Sequence, residues 1–245
     1  MNSEQEQHEV SAFQSLNKFE QSLLLLFSVI YEPVSQAFLM KLLGKAEVII
    51  PALKRPSKDE LQATVTHLRE VKLLDENNCC PRPMVEHLTR IAISQGVFSG
   101  LSSLIEREAP VSYMYGKWDT RCWRAMRQFR FGIYKRDFDK IDESQAFLEE
   151  HCLQRLDNKS PAVLVAADAF EADWFGSLPG SMQFFLLDQI FRYCFAKLIH
   201  YQPVIAYLED EKNLTVSPDE RVPFHRLLAS DYLLRGRFGD LQDLL

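Results

Sequence analysis

The sequence predicts an all-α protein: an N-terminal winged helix-turn-helix with a small β wing, followed by an α-hairpin (TPR-like) helical array. Three observations predict it. Glycine is scarce, 9 in 245 residues, and helix formers dominate. Ser57 to Gln95 reads as a capped helix, a short apolar strand, a polar turn, a second strand and another helix, the closing half of a winged helix. Residues 131–141 and 230–241 share the signature of an α-hairpin corner, where a helix ends, a basic residue turns the chain and a Phe opens the next helix.

Each element has its local reason. Residues 1–15 read as a flexible lead, and 16–96 as the winged-helix domain. From Asn17 onward Phe19, Leu23, Leu26, Phe27 and Ile30 recur at helical steps. Glu32-Pro33 ends that helix, because proline disfavours α geometry in the residue before it. Phe38, Leu39, Leu42 and Leu43 give the second helix its inner face, with Gly44 as the expected C-cap. Lys45 to Pro56 is a connector in which Val48, Ile49 and Ile50 can pair as a brief strand. Ser57 caps the third helix and Glu60 completes a capping box. Leu61, Val65, Leu68 and Val71 form its apolar stripe. Leu73-Leu74 and Cys79-Cys80 flank the turn Asp75-Glu76-Asn77-Asn78 and are the expected wing strands.

Residues 97–116 read as a connecting helix and linker, punctuated by Pro110 and Gly116. Beyond them 117–245 reads as a helical-repeat-like domain. Asp119 or Thr120 caps its first helix, and Phe138 to about Leu156 makes the partner. Ser160-Pro161 starts another helix, Ser181 caps a long apolar one, and Pro203 and Asn213 to Pro218 separate two more. Phe138 and Phe238 recur close to three periods of roughly 33–34 residues, the spacing of paired-helix repeats. The chain stops on an apolar Leu-Leu where a solenoid needs a polar capping helix, so the array reads as truncated.

Composition limits the function classes. The longest apolar run, Leu23 to Tyr31, is interrupted by Ser28 and too short to span a bilayer, so a cytoplasmic chain without membrane contact is expected. The five cysteines are scattered without ligand spacing, which predicts reduced thiols. The six histidines are isolated, and there is no H-E-x-x-H, so no metal is expected. Asp168, Glu171 and Asp173 read as an acidic, solvated helix face. No Walker, G-x-G-x-x-G or G-x-S-x-G motif occurs, so no catalytic residue and no cofactor are assigned within these residues.

Net charge is −6, yet residues 117–136 hold 7 basic residues against 1 acidic. Arg121, Arg124, Arg127 and Arg130 step by three along one helix, with Lys135 and Arg136 at its end. Steps of three cover a broad face, and Trp123 and Phe129 interleave with the arginines. That combination suits an acidic protein partner or nucleic acid. The plainer reading pairs these arginines with carboxylates of 137–245 while the aromatics fill the core. The face expected for the recognition helix, 57–72, carries Asp59, Gln62, Thr66, Arg69 and Glu70. With Asp75 and Glu76 in the wing, it opposes a phosphate backbone.

The run Val71-Lys72-Leu73-Leu74-Asp75, followed by Arg82-Pro83-Met84-Val85-Glu86-His87-Leu88, resembles the wing and closing helix of the regulatory core of STAND-class signalling ATPases. There a winged helix leads into a helical-repeat sensor. The winged helix together with the two corners also resembles the N-terminal region of bacterial Swi/Snf-type helicase-like proteins. In STAND proteins the ATPase module precedes the winged helix, whereas here the winged helix stands first, which favours the helicase-type layout or an independent regulator. The resemblance implies a non-catalytic interaction and regulatory module of a larger helicase-like or signalling ATPase, bound to a protein partner or to the rest of its own chain. The alternative is direct nucleic-acid binding through the winged helix and the basic helix.

Overall fold

A computed structural model describes residues 11–210 and 218–244, and every regular element among them is helical. They divide into two compact units, one reaching to Cys152 and one starting at Leu153. The first unit holds α1 (Lys18–Ile30), α2 (Gln36–Ala46), α3 (Lys58–Glu70), α4 (Arg82–Ser94), α5 (Phe98–Glu108), α6 (Trp118–Lys135) and α7 (Phe138–His151). The second holds a 3₁₀ turn (Leu153–Leu156), a π-helical turn (Val163–Ala167), α8 (Ala172–Gly176), α9 (Gly180–Lys197), α10 (Gln202–Glu209), α11 (Pro218–Leu234) and α12 (Phe238–Leu244). The division falls after the α6–α7 hairpin, so the basic helix belongs with the N-terminal helices. The residues 97–116, expected as a connecting helix and linker, lie within the first unit and include α5.

The caps explain the starts. Ser57 Oγ accepts from the Glu60 N–H while Glu60 Oε2 accepts from the Ser57 N–H at 2.7 Å, the expected capping box. Asn17 and Glu20 build a second one on α1. α1 lies at the centre of the unit: Leu23 through Ile30 are all buried. It ends at Tyr31 in the left-handed region, φ 55°, directly before Glu32-Pro33.

The wing is absent. Among the described residues there is no strand, and the segment after α3 closes as a helix stop and a tight loop instead. Lys72 is left-handed, the Leu73 N–H donates to Leu68 O at 2.9 Å and the Lys72 N–H to Arg69 O, a Schellman motif with lysine where glycine is usual. Asp75 Oδ1 then accepts from the N–H groups of Asn77 and Cys79, both at 2.8 Å, and Arg69 Nη2 donates to Asn78 Oδ1 at 2.7 Å. Side chains thus satisfy the backbone that a strand ladder would have needed. The connector 45–56 likewise turns rather than pairs: the Ile49 and Ile50 N–H groups both donate to Ala46 O. α2 runs past Gly44 and is capped by Glu47.

The two expected corners exist, and both are Schellman turns. In one, Arg136 is left-handed and the Asp137 N–H donates to Gly132 O at 2.8 Å. In the other, Gly236 is left-handed and the Arg237 N–H donates to Tyr232 O at 2.9 Å. Helix lengths between them are irregular: α7 stops at His151, α8 spans one turn, and Pro223 lies inside α11 rather than at its start. The separating segment expected at 213–217 lies outside the described residues.

Candidate functional site

The basic helix α6 was the candidate contact surface, and the structure turns most of it inward. Arg127 and Arg130 are only 1% and 0% exposed, among the largest fully buried side chains. Their partners come from the N-terminal helices, not from 137–245. Arg130 Nε donates to Glu86 Oε1 of α4 at 2.7 Å, and its Nη2 donates to the Thr89 hydroxyl at 2.7 Å. Its guanidinium also lies 4.3 Å over the Tyr31 ring, and the Tyr134 hydroxyl donates to Glu86 Oε2 at 2.6 Å. Arg127 Nη1 and Arg124 Nε both donate to Glu32, at 3.2 and 2.9 Å.

The remaining donors cap helix ends. The last carbonyls of a helix have no intrahelical partner and sit at the negative end of its dipole. Arg130 Nη1 donates to Ser28 O at 3.0 Å and Arg127 Nη1 to Ile30 O at 3.4 Å, both in the last turn of α1, which has no basic residue of its own. Arg127 Nη2 donates to Ala109 O and Arg124 Nη1 to Pro110 O, closing the C-terminal end of α5. Three arginines of one helix therefore fasten three others, α1, α4 and α5, through ions and carbonyls.

Burial and charge work against each other here. Burial pulls Arg127 down to about 10, with Glu32 pushing back, so it stays cationic at neutral pH. Burial also pulls Arg130 down, but the Glu86 carboxylate together with Tyr134 and Tyr31 outweighs it and the net shift is upward. Removing one member of such a buried pair leaves an uncompensated charge, a cost of about 3–5 kcal/mol.

The other three candidates lie at the ends of α6. The Arg121 guanidinium stacks 4.8 Å over Trp118 and 5.1 Å over Phe147, with its Nε unpartnered. Lys135 Nζ pairs with Glu106 at 3.0 Å and Arg136 is exposed in its left-handed position. The six residues do not converge on one surface. Sequence reasoning missed Glu32, Glu86 and Thr89. The legible signal was that two carboxylates fall in or beside apolar runs, at Glu32 after Leu23–Tyr31 and at Glu86 inside Met84–Leu88.

Beside the network lies a cleft of about 280 Å³, lined among others by Tyr31, Glu32, Asp75, Cys79, Arg82 and Trp123. Burial, with Asp75 and Glu32 adding to it, pushes the Cys79 thiol up to about 12, and burial raises Tyr31 to about 12 as well. Both stay protonated at neutral pH, so neither supplies a thiolate or phenolate nucleophile.

A further correction concerns the thiols. Cys122 and Cys152 are bonded, Cα–Cα 5.7 Å, and the free cysteines are Cys79, Cys80 and Cys194. Residues 122 and 152 are equidistant from Asp137, so folding the hairpin at that corner sets them opposite each other. Among the described residues no group of three or more His, Cys, Asp or Glu converges as a metal site, and no helix is long and apolar enough to cross a membrane.

In the second unit the contrast is one of exposure. Leu198, Leu233, Leu234 and Phe238 are all largely solvent-accessible, Leu198 at 87%. Cys194, Leu198, Asp231, Leu234 and Arg235 line a groove of about 130 Å³ between α9 and α11. Leu198 is also left-handed, φ 53°, a position where a branched side chain is strained. No protein-family model, curated protein or solved structure matches the chain.

Proposed function

We propose that this chain is a non-catalytic interaction module whose contact surface is the apolar end of the α9–α11–α12 assembly, and that its occupant is an amphipathic helix of a protein partner. Leu198 carries the reading. An apolar side chain held out in water on a strained backbone is unfavourable on both counts, and such strain concentrates at functional sites. Lys197 beside it is exposed and has no partner among the described residues, which favours a carboxylate on the incoming helix. A groove between two helices with leucines on its lip matches the helix-in-groove mode of recognition. The larger helicase-like or signalling parent was implied by the winged helix together with the two corners; without the wing, the interaction role is what the surface supports. Nucleic-acid binding through α6 has lost its two central arginines to the core.

A display selection of amphipathic helical peptides with leucines at i, i+3, i+4 and i+7, read by methyl NMR on the full chain, tests this. Shifts centred on Leu198, Leu233 and Leu234 are expected. Shifts centred on α1–α6, or no binders at all, would overturn it.

A further inference from the structure

The Cys122–Cys152 bond closes the end of the α6–α7 hairpin away from its corner, where Arg121 of α6 also stacks over Phe147 of α7. The corner end of the α6–α7 hairpin is tight: a Cβ on Gly132 would fall 2.6 Å from Ile141. Towards the open end the hairpin is fastened by the disulfide, with Cys122 in the second turn of α6 and Cys152 as the C-cap of α7. The last turn of α7 is weak in itself. Glu149 and Glu150 are exposed there, at the negative end of the helix dipole, where carboxylates are unfavourable. His151 lies 3.6 Å from Glu150, and the Gln145 amide donates to Glu149 Oε1 at 2.5 Å.

That turn also anchors an aromatic cluster. Phe147 meets Tyr113 at 5.0 Å, Trp118 at 6.0 Å and His151 at 5.1 Å, and His151 meets Trp118 at 5.6 Å. Through Tyr113 and Trp118 the cluster holds the segment 110–118, whose Met114 and Tyr115 are exposed. The arginine network fastens α1, α4, α5 and α6 and does not reach this end of α7.

We infer that Cys122–Cys152 is a redox-operated clasp for the 110–118 segment. A dithiol reductant attacks one sulfur through its thiolate and forms a mixed disulfide, releasing the other cysteine as a thiol once protonated. The reductant's second thiolate then attacks the reductant's own sulfur in the mixed disulfide and expels the remaining cysteine, so two electrons and two protons pass to the chain and the reductant ends as a disulfide. Both cysteines are buried, so attack requires the α7 end to open first, which makes reduction slow unless that turn frays. Once reduced, the last turn of α7 loosens and Phe147 and His151 release Trp118 and Tyr113. A reducing setting thus frees the aromatic segment, and an oxidising one holds it.

Hydrogen exchange read by mass spectrometry on the full chain, before and after dithiothreitol, tests the clasp, with alkylation under denaturing conditions counting thiols. Oxidised chain should show the three free cysteines and reduced chain all five. Amides of 113–121 and 147–152 should lose their protection after reduction, exchanging about 10-fold or more faster, while 23–30 remain the slow-exchanging core. Cys122→Ser/Cys152→Ser should match the reduced pattern in either buffer. Five thiols in chain folded in air, equal exchange in the two states, or loss of protection at 23–30 in the reduced wild type would each overturn the inference.

Discussion

The corner at 131–141 and the corner at 230–241 share a turn and little else. Both are Schellman turns with a left-handed residue in matching position, Arg136 in one and Gly236 in the other. Around the first, the hairpin is drawn inward: buried Arg127 and Arg130 reach across to Glu32 and Glu86, Gly132 lets the helices touch, and a disulfide joins the far ends. Around the second, Leu233, Leu234 and Phe238 face water and the charges pair locally, Arg235 with Asp231 and Arg237 with Glu209 and Asp240. The same local code serves a structural hairpin in one case and an open surface in the other. What separates them is what the neighbouring helices supply.

The comparison can be broken most forcefully at the buried ions. Glu86→Ala leaves Arg130 charged and unpaired in the core, and is expected to lower stability by about 3–5 kcal/mol and Tm by roughly 10 °C. Leu234→Ala on the open corner should change stability by no more than about 0.5 kcal/mol. Thermal and urea unfolding of the two variants decides this, and equal effects would erase the distinction. Removing the bond with Cys122→Ser/Cys152→Ser comes next. A loop of 30 residues gives about 3–4 kcal/mol by chain entropy, measured as a shift in the urea midpoint.

The glycines sharpen the contrast further. Gly132→Ala forces a Cβ against Ile141 and the Asp137 carbonyl and should cost about 1–3 kcal/mol. Gly239→Ala in α12 meets nothing within 4 Å and should gain up to about 1 kcal/mol from helix propensity. Denaturant midpoints of both variants read the opposite signs.

The smallest effect is electrostatic and belongs to the rim of the first unit. Hydrogen bonds from Lys45, Lys41 and Arg107 hold Glu108 down to about 2, below its ordinary 4.5. Burial pushes Glu106 up, but hydrogen bonds from Lys140 and Lys135 outweigh it and its net shift is downward. A carboxylate with a lowered folded pKa contributes stability in full above its unfolded value and loses it as pH falls through the folded one. Urea midpoints should therefore drop between about pH 4.5 and 2, and Glu108→Gln should flatten that slope.

Much of the fold was legible because it is written locally. The capping box of Ser57 and Glu60, the stop at Glu32-Pro33 and both corners depend on residues within a few positions of each other, and all are present. The wing misled because Leu-Leu, polar turn, Cys-Cys has strand composition, whereas Asp75 accepts from the N–H groups of Asn77 and Cys79 and Arg69 donates to the Glu76 carbonyl. The site was less legible. A basic helix looks the same in sequence whether its arginines face water or cap other helices. Deciding between them required knowing that Glu32, Glu86 and the carbonyls of Ser28, Ile30 and Ala109 lie opposite. Arg124 and Arg127 are accordingly poor probes of a surface, since reversing their charge strikes the network itself.

The most direct test sets the two regions against each other in one titration. Affinity of a selected amphipathic helical peptide is measured by calorimetry for the wild type, for Leu234→Lys, and for Arg121→Glu/Arg136→Glu, the last pair lying at the ends of α6 outside the buried network. Leu234→Lys is expected to weaken binding by about 10- to 100-fold, the worth of one buried leucine, with the arginine variant unchanged. Loss of binding in the arginine variant with Leu234→Lys unaffected would contradict the assignment of the open hairpin as the contact surface.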